Sequence, residues 1–219
     1  MNTIFTKTFV SPRFDKKEIL RYAGAKKDSP EISELIKSCI EEVKDKLTYK
    51  VCYGVFPVSV KGNMVDLSFM KTESNSLAKN LVRCRSTILF SATVGIEIDR
   101  LISRYGRISP SRALIFQAIG AERIESLCNE FTKFIQKEYG ATVPRFSPGY
   151  GDFRLEVQKD FFRVLEPGKR IGLTLNESML MTPTKSVTAI IGITDSNCEE
   201  SNYNCKDCNK TDCMYRRAL

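Results

Sequence analysis

Histidine is absent from the 219 residues of this chain. That removes the side chain most used for acid–base catalysis and the commonest nitrogen ligand for metals. No run of eighteen apolar residues occurs, so no membrane-spanning helix is expected. The opening Met1-Asn2-Thr3-Ile4-Phe5-Thr6-Lys7 lacks the basic-then-apolar pattern of a secretory signal. A cytoplasmic protein is the expectation, and disulfides are disfavoured there. No internal repeat is visible, and nothing resembles a low-complexity segment before the last 22 residues.

What is present is a soluble composition with 34 basic and 26 acidic residues, a net charge of +8. The basic residues are spread out and interleaved with acids, as in Lys16-Lys17-Glu18 and Glu41-Glu42-Val43-Lys44-Asp45-Lys46. That is the pattern of a solvated surface rather than of a nucleic-acid footprint. A small anionic ligand or an acidic protein partner fits it. Of the 8 cysteines, Cys39, Cys52, Cys84 and Cys128 stand singly among apolar or helical residues and read as buried, inert thiols.

Periodicity predicts helices over residues 16–24 and 29–48, the second opened by Ser29-Pro30. Residues 49–58 and 64–69 are β-rich runs split by Lys61-Gly62-Asn63, a hairpin signal. Further helices are expected at 76–81, at 96–105 ending near Gly106, and from Ser109-Pro110 to about Tyr139 with a break at Gly120. Another follows at 155–165. Strands are expected at 85–94, 170–175 and 187–193. Regular strand–helix alternation is missing. The expectation is one α+β domain over residues 1–195, with a mainly antiparallel sheet flanked by helices, and a cysteine-rich C-terminal tail over residues 196–219.

Arg145-Phe146-Ser147-Pro148-Gly149-Tyr150 brings a cation, a hydroxyl, two backbone punctuators and an aromatic into six residues. Proline fixes one torsion, and glycine lets the backbone turn and approach a ligand. Two other segments, residues 88–102 and 171–189, flank this loop in sequence. The three in register resemble the reactivation domain of cobalamin-dependent methionine synthase, in a short stand-alone form. The resemblance covers residues 85–193 well and the N-terminal third poorly. It implies binding of S-adenosylmethionine, and a role in restoring methylcobalamin on a separate cobalamin-binding methionine synthase or another corrinoid protein. A flavodoxin-like or ferredoxin-like electron donor is a further implied partner.

The family's Arg-x-Ala-x-Gly-Tyr segment maps onto Arg145, Ser147, Gly149 and Tyr150, with serine where alanine is usual. Arg145 would pair with the ligand carboxylate. Gly149 and the peptide near Ser147 would offer backbone groups, and Tyr150 an aromatic wall. An acidic residue on the preceding long helix is also implied. Glu125 is the nearest, with Glu122 the alternative in register. The family's aspartate near the N-terminus has no matching motif here, and its tyrosine after the last strand is replaced near Glu199. Thr174, Glu177 and Ser178 either line the site or fix a local turn, and Met179, Leu180 and Met181 read as core. A different corrinoid methyltransferase system, served by an accessory protein without S-adenosylmethionine binding, is the alternative.

Cys198, Cys205, Cys208 and Cys213 are separated by six, two and four residues. In so polar a setting they are not core. Their arithmetic suits a four-thiolate site for zinc or an iron–sulfur cluster, and spacing does not choose between them. A redox-active dithiol and a disordered tail are the other readings of the same residues. An iron–sulfur cluster would act as an electron relay toward a cobalt centre.

Overall fold

A computed structural model describes residues 3–25 and 27–194; the tail cysteines Cys198, Cys205, Cys208 and Cys213 lie outside the described residues. The chain runs β1 (Ile4–Thr8), α1 (Lys16–Tyr22), α2 (Pro30–Val43), β2 (Lys50–Pro57), β3 (Ser59–Lys61), β4 (Met64–Asp66), β5 (Lys71–Glu73) and α3 (Asn75–Leu81). It continues through β6 (Cys84–Thr93), α4 (Glu97–Ile108), α5 (Pro110–Tyr139), a 3-10 turn at Leu155–Val157, α6 (Gln158–Leu165) and α7 (Pro167–Ile171). The last elements are β7 (Thr174–Leu175), β8 (Met181–Thr182) and β9 (Ser186–Thr194). This is a single α+β domain built on an antiparallel four-stranded sheet of order β1-β2-β6-β9.

Both faces of that sheet are covered, which is why β6 and β9 read as nearly continuous apolar runs rather than alternating ones. Tyr53, Ile88, Phe90, Ala189 and Ile191 pack on Leu127 and Phe131 of α5. On the opposite face Cys52, Phe56, Leu89 and Ile190 meet Leu77 and Leu81 of α3 and Phe161 and Leu165 of α6. A third cluster joins Ile19, Ile36, Cys39, Ile98 and Leu101 to Phe116 and Ile119 in the first half of α5. The long helix therefore serves two cores, an all-helical one near its start and the sheet near its end.

Several expectations are corrected. α5 runs unbroken through Gly120, because that glycine is needed for close approach rather than for a kink. A Cβ there would lie 2.7 Å from Lys185 Cγ and 2.8 Å from Ile98 Cγ2. α4 likewise passes Gly106 and ends at Ile108. Residues 170–175 are the last turn of α7 and a two-residue strand. Pro167 opens that helix and Gly172, at φ 72°, closes it. The turn at Gly62-Asn63 joins β3 to β4 in a separate three-stranded meander, so β2 does not pair with residues 64–66. β1, which periodicity did not reveal, edges the main sheet beside β2.

Cys39, Cys52, Cys84 and Cys128 are buried, as expected. Burial pushes the Cys39 thiol up to about 11, and those of Cys52 and Cys128 up to about 12. Thiolates do not form there at neutral pH.

Candidate functional site

The outer edge of β9 decides where a site can form. Residues 141–146 follow α5 and pair with it: Val143 N donates to Gly192 O, Thr194 N to Ala141 O, and Phe146 and Ile190 exchange both bonds, all at 2.9 Å. Beyond Phe146 the chain leaves the edge at Pro148-Gly149, and the start of β9 is left uncovered. By the two-residue repeat of a strand, the peptide groups of Thr188 face the same edge as those of Ile190. A cleft of ≈340 Å³ opens there, between the 145–150 loop, Glu125 of α5, Gln158 of α6, Met181 and the Ser186–Thr188 edge.

Arg145 lies against α5. Its Nη1 donates to Asn129 Oδ1 at 2.9 Å and Thr132 Oγ1 at 3.1 Å, and its Nη2 to Glu125 Oε2 at 3.1 Å. These three partners sit at i, i+4 and i+7 and so share one helix face. Glu125 and Arg145 together give the cleft one end with a carboxylate and a guanidinium side by side, a set that can meet an ammonium and a carboxylate at once. Of the two α5 candidates, Glu122 is 2% exposed and bound to Arg123, whereas Glu125 lines the cleft.

Ser147, Pro148 and Tyr150 line the cleft with Arg145 and Glu125. Tyr150 is 67% exposed, so its ring stands at the mouth rather than inside. Gly149 is not among the lining residues, and its N–H is spent on Phe153 O at 2.8 Å. Its φ of 90° is what the turn requires of it.

The loop is fastened at both ends to α3, through contacts no local pattern could reveal. Before it, Asn80 Nδ2 donates to Pro144 O at 3.1 Å. After it, Asp152 accepts from Ser74 Oγ at 2.6 Å, Asn75 N at 2.7 Å and Ser76 N at 3.0 Å, which makes it an N-terminal cap of α3 supplied from 76–78 residues away. Those bonds, that from Ser74 first, hold the Asp152 carboxyl well below the usual carboxylate range. Gly151 allows the approach: at φ 56°, a Cβ on it would sit 2.5 Å from Ser76 Oγ.

Thr174, Glu177 and Ser178 do not line the cleft; the segment is a turn held by Asn176, whose Oδ1 accepts from Leu180 N at 2.9 Å. Leu180 is 64% exposed and so is not core as expected, whereas Met181 is partly buried, packs against the core and also lines the cleft. Gln158, overlooked in the sequence, is 6% exposed and forms part of the cleft wall. A second hollow of ≈330 Å³ shares Glu125 with the cleft and is lined by Asp15, Glu18, Tyr22 and Glu122. The fold thus brings an N-terminal aspartate near Glu125 although no motif announces it. Asp15 also caps α1, accepting from Lys17 N at 2.9 Å. Among the described residues, no group of three or more Cys, Asp or Glu side chains is placed to hold a metal ion. No described helix is long and apolar enough to cross a membrane.

No protein-family model and no curated protein matches the chain. Among solved structures it is similar to the crystal structure of the MetH reactivation domain bound to AdoHcy. The TM-score is 0.65 at 15% identity, with 90% of this chain and 81% of that one covered. At that identity the likeness establishes the fold.

Proposed function

We propose that this chain binds S-adenosylmethionine in the cleft beside Arg145 and acts as a reactivation module for cobalamin carried by a separate protein. The observation that carries the reading is the Glu125–Arg145 pair, set at 3.1 Å on the rim of a cleft whose walls are otherwise uncharged. A guanidinium and a carboxylate side by side match the carboxylate and ammonium of an α-amino acid. Behind them Phe146, Pro148, Met181 and Val187 give apolar wall for a neutral, flat body. The likeness in fold to a domain bound to AdoHcy supports the same assignment.

S-adenosylmethionine supplies a methyl group on a sulfonium, whose loss leaves a neutral thioether. In this reading the protein's own part is positioning: the pair orients the amino-acid end, and the 145–150 loop, clamped to α3, holds its shape without the ligand. No general acid or base is required, in keeping with a chain without histidine. The net charge of +8 suits docking to an acidic corrinoid protein or to an acidic electron donor. The tail cysteines Cys198, Cys205, Cys208 and Cys213 are proposed, on spacing alone, as a zinc or iron–sulfur ligand set. Iron and visible absorbance in protein handled without oxygen, lost in Cys205→Ser, test the cluster.

A second reading keeps the fold but not the ligand, with the chain serving another corrinoid methyltransferase. One observation favours it: three α5 side chains already occupy the Arg145 guanidinium, so a ligand carboxylate must share it. The two are separated by mixing the protein with a reduced corrinoid protein and S-adenosylmethionine. The proposed function predicts the spectrum of methylcobalamin, dependent on Arg145. Co-purification of a corrinoid protein without that spectrum fits the second reading.

A further inference from the structure

We infer that the outer edge of β1 is a docking edge for an extended acidic segment of a partner protein, which joins the main sheet as a further strand. The inference does not depend on the S-adenosyl reading. β1 and β9 are the two edges of the sheet, about 14 Å apart, and the cleft lies at β9. A partner held at β1 leaves the cleft open.

Which groups of β1 face outward follows from its pairing. β1 and β2 are antiparallel with Thr8 opposite Lys50, and one step further Phe9 N donates to Tyr49 O at 2.8 Å. Bonded and non-bonded positions alternate in such a pair. Phe5, Lys7 and Phe9 therefore turn their peptide groups to β2, while Ile4, Thr6 and Thr8 turn theirs away. Arg170 agrees with this, since its Nη1 donates to Ile4 O at 3.3 Å from outside the sheet. Among the described residues that is the one bond on the outward groups. Thr6 and Thr8, both exposed, present N–H and C=O to solvent.

Edge strands are commonly blunted by proline, by a bulge or by a lysine held over the edge. β1 has neither proline nor bulge. Its lysine is folded inward, with Nζ 4.1 Å from the Phe134 ring centre and 5.6 Å from that of Phe9. The edge is open, and the side chains beside it decide what fits. Phe5, 42% exposed, stacks on Tyr53 at 5.3 Å, and Tyr139, 37% exposed, reaches the same tyrosine. Lys7 stands on the same face two residues on, Lys50 lies opposite Thr8, and Arg170 closes the Ile4 end. Glu138 of α5, close enough to act on the Tyr53 hydroxyl, offsets part of that charge.

The occupant is thus specified by an acid opposite Lys7 and an apolar side chain two residues away, opposite Phe5. Both fall at the closely spaced, non-hydrogen-bonded positions of the added pair. A second copy of this chain fits poorly. Pairing two β1 strands would line up Lys7, Lys50 and Arg170 of both copies, and a strand of 5 residues buries too little to hold such a dimer.

The test is selection of displayed random peptides of about nine residues, enough to span a strand, on the immobilised full chain. Fluorescence anisotropy then follows with the peptides obtained. They are expected to carry Asp or Glu two residues from an apolar residue, and to protect the Thr6 and Thr8 amides from hydrogen exchange. Thr6→Pro removes an outward N–H that the β1–β2 ladder does not use, and proline is tolerated on such an edge. Its thermal midpoint should stay within a few degrees of the parent while peptide binding weakens roughly 5- to 100-fold. Lys7→Glu should weaken the same peptides roughly 2- to 30-fold. If Thr6→Pro does not fold, Lys7→Glu and the amide protection decide. A selection that yields no binders, or binders without acidic enrichment, overturns the inference. So do binders that the folded variants hold within about twofold of the parent. A dimer in sedimentation that Thr6→Pro dissociates also overturns it, because the edge then belongs to a second copy.

Discussion

Replacing Arg123 by methionine is expected to remove a large part of the stability of the fold. Arg123 is fully buried in the middle of α5, and Glu122 beside it is 2% exposed. The guanidinium donates to both Glu122 oxygens at 2.5 Å, to Pro12 O at 2.5 Å and to Arg13 O at 2.8 Å, and its centre lies 3.9 Å from the Phe14 ring. Methionine fills much of the volume but leaves a buried carboxylate with only Ser126 Oγ and the Asp15 N–H, and strips two carbonyls of their donor. Removing one partner of a buried pair costs about 3–5 kcal/mol. Total stability for a domain is only about 5–15 kcal/mol. At a urea slope of about 2 kcal/mol per molar, the midpoint should fall by about 1.5–2.5 M. Glu122→Gln in the same chain removes the stranded charge and should restore roughly 1–3 kcal/mol, so the double variant is the more stable of the two. A midpoint for Arg123→Met within about 0.5 M of the parent, or a double variant less stable than the single one, would refute the reasoning.

Three further outcomes follow from the loop and the cores. Asp152→Ala should lower stability by about 1 kcal/mol at pH 7 through loss of the α3 cap. Because the folded carboxyl titrates below its ordinary value of 3.8, that contribution is present above it and lost as pH falls further, so urea midpoints of the two proteins should converge in acid. Gly151→Ala should destabilise by roughly 1–3 kcal/mol, since alanine is strained at φ 56° and its Cβ meets Ser76; thermal unfolding reads this. In the folded protein Cys39, Cys52, Cys84 and Cys128 should not react with a thiol reagent at pH 8 and should all react in guanidinium, as mass spectrometry of labelled peptides would show.

The sequence revealed most where the signal is local. The start of α5 was legible from Ser109-Pro110, and the two-sided burial of β6 from its run of apolar residues. β1 was not, because an edge strand with one covered face and five residues carries almost no period. Residues 170–175 misled because apolar alternation over six residues does not distinguish a strand from a helix turn, and the bounding Pro167 and Gly172 decide it. In the site, local composition marked out only the loop that carries Arg145, Ser147 and Tyr150, and their proposed roles came from the family resemblance. Asp152, Asn80 and Gln158 were not, since their roles rest on partners 30 or more residues away. A buried amide looks in sequence like any surface glutamine.

The most direct test is a calorimetric titration of the full chain with S-adenosylmethionine, with Arg145→Ala alongside. The account predicts saturable binding at one site per chain that Arg145→Ala abolishes or weakens by at least about tenfold. A parent protein that takes up no ligand, or an Arg145→Ala protein that binds as tightly as the parent, would contradict it.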